Sequence, residues 1–311
     1  MTGVDATKPL VWLPFEPSLL GSPPGSLRYE VVVPGPDAAP PASISDVEFY
    51  VPPYRFRLGD SELIERMPRL RVIQTLTAGV EHIRPHVPSG VRLCNGRGIH
   101  DASTAELALA LVLGSLRGIP EFVRAQDRGE WRPETRRSLA DRRVLIVGYG
   151  QIGAAVERRL DGFEAEVVRV ARSARDGVHP FTDLPDLLPE ADVVVLVVPL
   201  TGETRGMVDA EFLSRMKDDA LLVNVARGPV VDTEALLAAL ESRRIHAALD
   251  VTDPEPIPEG HPLWRAPNLL VSPHVGGASS AMWPRAHKVV REQLERFAAG
   301  EQLANVMDGD Y

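Results

Sequence analysis

Short runs of aliphatic, β-branched and aromatic residues recur along the chain, separated by polar, Pro-rich or helix-like segments. In the first hundred residues these runs predict strands at residues 11–13, 29–33, 47–51 and 71–76. A short helix is predicted at residues 61–67, before the last of these strands. Strands that alternate with short helices are typical of a small parallel-sheet domain.

The alternation of strand and helix patterns becomes more regular between residues 143 and 273. Six apolar runs predict strands at residues 143–147, 166–170, 191–198, 220–225, 245–249 and 269–272. Several of them are continuous Val and Leu runs, which is the pattern of strands covered by helices on both faces. Helical crossovers between six such strands predict a doubly wound parallel sheet.

Two longer helical segments lie outside this alternation. Residues 102–117 have apolar positions around almost the whole helix, and Ser103 and Glu106 have the spacing of a capping box at its start. Such a helix is buried in a seam between domains, in a dimer interface or in an ordinary core. Residues 283–299 form the last helix, which we expect to return to the first domain.

Composition and charge exclude several classes of function. The formal charge of −9 provides no general attraction for nucleic acid or for an anionic membrane. The longest apolar runs, residues 107–113 and 193–200, are far shorter than the ~20 residues that a membrane helix needs. Residues 1–8 do not resemble a secretory signal, and Cys94 is the single cysteine. We therefore expect a cytoplasmic protein without an intrachain disulfide, and we assign no metal site.

The clearest chemical motif is a glycine turn at residues 148–153, which follows an apolar run and precedes a helix. In the pattern G-x-G-x-x-G, Gly148 permits the tight turn, Gly150 admits a pyrophosphate and Gly153 lets helix and strand pack closely. The helix N-terminus adds N–H groups and partial positive charge for phosphates. A structural turn is the alternative, but the position between strand and helix predicts a dinucleotide site. Its candidate residues are Gly148, Gly150, Gln151, Ile152 and Gly153.

The end of the following strand discriminates between NAD and NADP. An NAD site normally has Asp or Glu about 20 residues beyond the first glycine, where it binds the ribose 2′-hydroxyl. Ala171 occupies that position here, followed by Arg172, Ser173 and Arg175. These three residues can hold a 2′-phosphate through charge-assisted hydrogen bonds, although they also fit a solvated basic loop. We favour NADP(H) over NAD(H).

Three further strands are predicted to end in chemically active residues. Arg227 follows one of them, Asp250 and Glu255 follow another, and His274 follows the last. Because ligands of open α/β sheets bind outside the carboxyl ends of the strands, we expect these side chains to converge. Separately, each has an ordinary structural interpretation: an ion pair for Arg227, a surface loop for Glu255 and a helix cap for His274.

Their convergence suits the reduction of a 2-oxo acid. That reaction needs hydride at the carbonyl carbon and a proton at the carbonyl oxygen. Arg227 would pair with the substrate carboxylate and polarise the carbonyl, and His274 would donate the proton. Glu255 would raise the pKa of His274 and orient its ring, while Asp250 would accept a hydrogen bond from the nicotinamide carboxamide.

Together these motifs resemble the D-isomer-specific 2-hydroxyacid dehydrogenases. The resemblance is strongest over residues 144–278 and weaker over residues 77–80 and 95–106. It implies an α/β fold: a Rossmann doubly wound parallel sheet plus a smaller flavodoxin-like α/β substrate domain. The dinucleotide-binding domain would comprise residues 102–281, and the substrate domain residues 1–101 with 282–311.

The resemblance also implies a role for individual residues. The family's catalytic Arg, Glu and His fall on Arg227, Glu255 and His274, and its nicotinamide-binding Asp falls on Asp250. Backbone N–H groups at Ala78 and Gly79 would bind the substrate carboxylate in a cleft beneath the cofactor, where Arg227 and His274 also contact substrate. Further cofactor contacts fall on Pro199, Thr204, Val225 and Gly276.

The family's architecture further implies a homodimer built around the long helix that follows residue 102, with Trp131 bordering the other active site. Ala171 is a departure, because many relatives have Asp there; members that resemble glyoxylate/hydroxypyruvate reductases often lack it. The expected substrates are small 2-oxo acids such as glyoxylate or hydroxypyruvate, or bulkier aryl or alkyl analogues. Candidate residues for their side-chain pocket are Tyr50, Tyr54, Arg55, Phe56 and Arg97.

Two other functions are compatible with these motifs. Formate dehydrogenases of the superfamily have Gln beside the histidine, so Glu255 argues against that branch, whereas phosphite oxidation is harder to exclude. A nicotinamide-sensing corepressor or scaffold would retain the Arg, Glu and His without using them. Turnover of NADPH with a panel of 2-oxo acids would separate the enzyme from the binding protein.

Overall fold

The computed structural model describes residues 7–33, 39–54 and 60–307. The chain divides into two compact units: unit 1 comprises Met1–His100 and Ser280–Tyr311, and unit 2 comprises Asp101–Ser279. The boundaries expected from the sequence, after residues 101 and 281, lie one and two residues further along the chain than these.

Unit 1 is built on a five-stranded sheet whose strands are all parallel, in the order β2-β1-β3-β4-β5. The strands are β1 Leu10–Leu13, β2 Arg28–Val31, β3 Val47–Tyr50, β4 Val72–Gln74 and β5 Arg92–Cys94. This order is the flavodoxin-like one, so the predicted class of the smaller domain is confirmed. Strand β5 was missed because three residues, one of them an exposed arginine, are too few to show a pattern.

Side-chain alternation gives the sheet of unit 1 two apolar faces. Val11 and Leu13 of β1 lie in the core beneath helix α8 (Met282–Ala299), whereas Leu10 and Trp12 lie in the core on the opposite face. The opposite face is covered in part by helix α1 (Asp60–Glu65). Both faces of the short parallel strands are therefore buried.

Unit 2 is built on a seven-stranded parallel sheet in the order β12-β11-β10-β9-β6-β7-β8. Its strands are β6 Arg143–Val147, β7 Glu166–Ala171, β8 His179–Pro180, β9 Val193–Leu196, β10 Leu221–Asn224, β11 His246–Leu249 and β12 Leu269–Val271. Counted from β6, the order begins 3-2-1-4-5-6, which is the doubly wound topology that the sequence predicted. The two-residue strand β8 at the edge was missed, since it contains one histidine and one proline.

Helices cover both faces of this sheet. They are α2 Asp101–Leu116, α3 Ile119–Asp127, α4 Gln151–Leu160, α5 Leu184–Leu187, α6 Ala210–Arg215 and α7 Thr233–Glu241. Alternate residues of β6 face the two cores: Val144 and Ile146 pack with α2 and α4, and Leu145 and Val147 pack with α6 and α7. Burial on both faces explains the continuous Val and Leu runs of the central strands.

The capping box predicted at the start of helix α2 is wrong, although the predicted range of residues 102–117 differs from the observed helix by one residue at each end. The helix begins at Asp101, so Ser103 lies inside its first turn and is not the capping residue of a capping box. The Ser103 hydroxyl is instead 2.6 Å from the hydroxyl of Ser279, at the other end of unit 2 in sequence. The apolar positions of α2 lie in the core of unit 2.

Among residues 7–33, 39–54 and 60–307, no single helix has both the length and the apolar character required to cross a membrane. Helices α2 and α3 meet those criteria only when taken together, and they are bent by 66° relative to each other.

A substitution in the centre of the larger sheet tests this packing. Leu222 of β10 is 0% exposed, and Leu222→Ala should lower the free energy of unfolding of its unit by about 2–5 kcal/mol through lost burial and a residual cavity. Leu19→Ala is the matched control. Leu19 is 54% exposed, so this substitution should lower the free energy of unfolding by at most about 0.5 kcal/mol. Urea unfolding followed by circular dichroism measures both. Equal midpoints for the two variants would contradict the assigned core.

Candidate active site

The glycine turn joins β6 to α4 at the carboxyl edge of the sheet in unit 2. The N–H groups of Gly148 and Tyr149 both donate to the carbonyl of Val170 in β7, at 2.8 and 3.0 Å. Gly148 has φ +106°, and a Cβ there would lie 2.7 Å from the backbone of Val197. A Cβ on Gly153 would lie 2.5 Å from the carbonyl oxygen of Gly148. Both positions therefore require glycine, as the motif predicts.

Gly150 has a different environment. A Cβ built on this residue would meet no atom of the described structure within 4 Å, so the missing side chain leaves open space on the turn. Helix α4 begins at the next residue, Gln151, with its first N–H groups directed to that end. An open glycine at a helix N-terminus fits a dinucleotide pyrophosphate, which needs close backbone approach and N–H donors.

At the end of β7 the structure exposes the basic residues that the sequence places there. Ala171 is buried, and Arg172, Ser173 and Arg175 are exposed on the segment that leaves the strand. Arg175 also contacts the glycine turn, because its guanidinium donates a hydrogen bond to the carbonyl of Tyr149. Two of the motifs that the sequence treats separately are thus in direct contact.

Arg227 is held by a residue whose role the sequence did not show. Asn224, fully buried at the end of β10, accepts a hydrogen bond from the N–H of Ala226 at 3.0 Å and donates one to the carbonyl of Arg227 at 3.0 Å. The Arg227 side chain itself donates to the carbonyl of Ala226 at 2.7 Å. An asparagine at the last position of a strand is a signal for such a local turn.

Gly228 brings the loop of Arg227 against the loop of Glu255. A Cβ on Gly228 would lie 1.9 Å from the carbonyl oxygen of Thr252, so the two backbones are in direct contact. The Thr252 hydroxyl donates to the carbonyl of Pro254 at 2.9 Å, which shapes the loop just before Glu255.

Asp250 holds the segment that carries His274. The Asp250 carboxylate is 3% exposed and accepts hydrogen bonds from the Ser272 hydroxyl (2.6 Å), the Val275 N–H (2.9 Å) and the Gly276 N–H (2.8 Å). The N–H of His274 donates to the carbonyl of Asp250 at 2.8 Å. His274 is thereby fixed with φ +52°, in the left-handed region that histidine visits more readily than most residues.

His274 and Glu255 form a direct pair. Nδ1 of His274 lies 2.5 Å from Oε1 of Glu255, and the two side chains are 46% and 40% exposed within the structure described. The hydrogen bond to Glu255 raises the pKa of His274, the Glu255 charge adds to this, and burial and the Arg227 charge oppose it. Burial raises the pKa of Glu255. The hydrogen bond and charge of His274 and the charge of Arg227 lower the pKa by more than burial raises it, so the pKa of Glu255 lies below its usual value. The pair therefore favours imidazolium beside carboxylate, with Arg227 close enough to affect both.

The predicted carboxylate loop lies in unit 1, and its peptide groups are fixed. The Thr77 hydroxyl donates to the carbonyl of Gly79 at 2.7 Å, and the amide of Asn95 donates to the carbonyl of Ala78 at 3.0 Å. The N–H of Gly96 donates to the carbonyl of Thr77 at 2.7 Å. The loop thus has a defined backbone orientation, with both carbonyl groups held by side chains.

Several predicted contacts have other surroundings in the structure. Thr204 is 2% exposed, and its hydroxyl donates to the carbonyl of Pro199 at 2.6 Å, so it holds the loop after β9 and does not present its hydroxyl to a ligand. Gly276 is buried with its N–H bound to Asp250. The carboxylate of Asp250 has three protein donors, which leaves about one acceptor site for the expected nicotinamide contact. Among the remaining predicted cofactor residues, Gln151 and Pro199 are exposed, Ile152 is half-buried and Val225 is buried.

The candidate pocket residues of unit 1 also differ from one another. Tyr50 is 0% exposed and packs edge to face with Trp12 in the core, so it is a core residue and not an open pocket wall. Tyr54 is half-buried with its ring 5.5 Å from that of His100. Arg97 is exposed, and its N–H donates to the Asn95 side chain at 3.2 Å. Arg55 and Phe56 lie outside the described residues.

The histidine–glutamate pair gives a direct test of these electrostatics. Glu255→Gln removes the carboxylate, so the pKa of His274 should fall and its imidazolium should be lost at lower pH than in the native protein. Titration of the histidine ring resonances by NMR measures this. Glu292→Gln, on an exposed pair with Lys288 in unit 1, is the control and should leave the His274 titration unchanged. An unaltered midpoint in Glu255→Gln would contradict the pairing.

The chain is similar in sequence to known 2-hydroxyacid dehydrogenases. Residues 109–276 match the model of the family described as D-isomer specific 2-hydroxyacid dehydrogenase, NAD binding domain. A glyoxylate reductase of Thermofilum pendens is 34% identical over 259 residues, which cover 78% of this chain and 76% of the relative.

Solved structures extend the similarity to nearly the whole chain. A D-isomer specific 2-hydroxyacid dehydrogenase of Xanthobacter autotrophicus Py2, crystallised with NADPH and MES, is 32% identical with a TM-score of 0.79, and the match covers 97% of this chain and 98% of the other. An NADPH-dependent glyoxylate/hydroxypyruvate reductase of Sinorhizobium meliloti, crystallised with NADP and sulfate, is 26% identical with a TM-score of 0.80, and the match covers 97% and 98%. The resemblance inferred from the motifs is confirmed, and the chain is an oxidoreductase that belongs to the D-isomer specific 2-hydroxyacid dehydrogenase family.

Proposed function

We propose that this chain reduces small 2-oxo acids to D-2-hydroxy acids with NADP(H), and that His274 is the acid–base catalyst. The observation that carries the proposal is the pairing of His274 with Glu255 at 2.5 Å, beside Arg227, at the carboxyl edge of a doubly wound sheet. The Glu255 carboxylate raises the pKa of His274 and so favours the protonated ring, which is the form that a general acid for carbonyl reduction needs.

Arg227 and His274 have separate roles in the proposed reduction of a 2-oxo acid. A reduced nicotinamide bound at the glycine turn would supply the hydride for the carbonyl carbon. Arg227 binds the substrate carboxylate and polarises the carbonyl, and His274 transfers its proton to the carbonyl oxygen, which gives the 2-hydroxy acid. Neutral His274 then regains a proton from solvent. In the oxidative direction, neutral His274 accepts the hydroxyl proton.

The binding of the substrate carboxylate by backbone N–H groups at Ala78 and Gly79 of unit 1 stays a prediction from the sequence. Two of the relatives compared above are named glyoxylate or glyoxylate/hydroxypyruvate reductases, and we therefore propose glyoxylate and hydroxypyruvate as substrates. Both are small 2-oxo acids with the carboxylate and carbonyl that Arg227 and His274 need.

The preference for NADP(H) rests on the end of β7. A buried Ala171 stands where an acidic residue would bind the ribose, and exposed Arg172, Ser173 and Arg175 follow it. The absence of a carboxylate at this position removes the repulsion that a 2′-phosphate would meet. The structures with NADPH or NADP named above are consistent with this assignment.

We also propose a cytoplasmic homodimer. The single cysteine, Cys94, is buried, which suits a reducing compartment. Trp131 is 94% exposed beside a cavity of about 530 Å³ lined in part by Phe122 and Pro133, and Ile119 and Val123 of α3 are also exposed. Exposed large apolar side chains of this kind, on α3 and at Trp131, favour association with a further copy of the chain.

The first test of the proposed function is a steady-state assay with NADPH and a panel of 2-oxo acids. The native protein should turn over glyoxylate or hydroxypyruvate, and His274→Ala should reduce kcat by a factor on the order of 10²–10⁴ while NADPH affinity is unchanged. His179→Ala is the matched control, because His179 also pairs with a carboxylate, Asp183, at 3.0 Å. NADPH binding without turnover of any 2-oxo acid would refute the proposed reductase activity. Full turnover in His274→Ala would refute the role of His274 as acid–base catalyst.

The second test concerns the cofactor. Arg172→Ala should raise the KM for NADPH much more than the KM for NADH, since only NADPH has the 2′-phosphate. Arg172→Lys should show an intermediate effect, because it keeps the charge and loses the bidentate geometry. Steady-state kinetics with both cofactors at saturating 2-oxo acid measures the ratio. Equal changes for NADPH and NADH would contradict phosphate recognition by Arg172.

A further inference from the structure

Tyr149, at the first variable position of the glycine turn, contacts two arginines. The guanidinium carbons of Arg169 and Arg175 each lie 5.7 Å from the centroid of its ring, within the range of cation–π attraction. The carbonyl of the same residue accepts the hydrogen bond from Arg175. Tyr149 therefore joins the glycine turn to the end of β7 through both its ring and its backbone.

The two arginines differ in their charge partners. Arg169 is paired with Glu157 of α4, whose carboxylate accepts from Nε of Arg169 at 3.0 Å and from a second guanidinium nitrogen. The Tyr149 hydroxyl donates to the same carboxylate. Within the part of the chain that the structure describes, no carboxylate lies at ion-pair distance from Arg175. The positive charge of Arg169 is thus compensated inside the cluster, whereas that of Arg175 is available for an external anion.

We propose that Tyr149 is a specificity-determining residue that acts through Arg175, holding its guanidinium at the glycine turn for the 2′-phosphate of NADP(H). The inference rests on the proposed preference for NADP(H). An exposed arginine loses rotamer freedom when it binds a ligand, and a ring contact with a backbone hydrogen bond removes part of that loss beforehand. Pre-organisation of this kind stabilises the complex with the phosphorylated cofactor and does not affect the complex with NADH.

The test is a double-mutant cycle on cofactor binding, without catalysis. Dissociation constants for NADPH and NADH are measured by calorimetry for the native protein, Tyr149→Leu, Arg175→Ala and the double variant. Tyr149→Leu should raise the dissociation constant for NADPH by about 3- to 10-fold and leave the dissociation constant for NADH nearly unchanged. In the Arg175→Ala background the same substitution should no longer alter the ratio of the two constants. Tyr149→Phe keeps the ring and the carbonyl, so it should retain the native ratio.

The controls separate this inference from the cofactor preference on which it rests. Arg158→Ala removes a positive charge from the exposed face of α4 and should change neither constant. If the native protein prefers NADPH and Arg172→Ala abolishes that preference, but Tyr149→Leu leaves the ratio unchanged, the role of Tyr149 is refuted and the preference stands. Equal weakening of NADPH and NADH by Tyr149→Leu would show a purely structural role. A native protein without preference for NADPH would refute both.

Discussion

The hydrogen bonds accepted by the buried carboxylate of Asp250 are the interaction on which the candidate site depends. Asp250 lies at the end of β11 and accepts hydrogen bonds from the segment on both sides of His274, which leaves β12. A carboxyl group that is 3% exposed is stable in the interior only when it is hydrogen-bonded, and the Ser272 hydroxyl and the N–H groups of Val275 and Gly276 provide those hydrogen bonds. The histidine therefore has a fixed position because burial of Asp250 requires that segment to close over it.

The same logic applies at the neighbouring strand ends. Asn224 ends β10 and is completely buried, and its amide is satisfied by the turn that presents Arg227. In a parallel sheet all of these strands end at the same edge, so two buried polar residues on adjacent strands place Arg227 and His274 at one site. Glu255 enters from the loop between them and completes the electrostatics of the site through its pair with His274.

The sequence predicted the parallel sheets, the glycine turn and the Arg, Glu and His that meet in unit 2, because long apolar runs and strand-end motifs are strong local signals. It missed β5 and β8, which are too short for a pattern, and the capping box at Ser103 gave way to a contact with Ser279. The contact of Tyr149 with Arg175 was not predicted either, since it joins residues 26 positions apart in sequence. Contacts of this kind depend on how loops from different strands fold against each other, and no local pattern encodes them.

Gly228 has a consequence for how this site can vary. Its α-carbon lies against the carbonyl of Thr252 so closely that even a methyl group has no room. The distance between the loops of Arg227 and Glu255 is therefore set by the direct approach of two backbones, which any side chain at residue 228 would prevent. Side chains around the site can be exchanged for others of similar chemistry. Gly228 has no such replacement, because every other residue has a Cβ. The close approach of the loops of Arg227 and Glu255 therefore depends on glycine at residue 228.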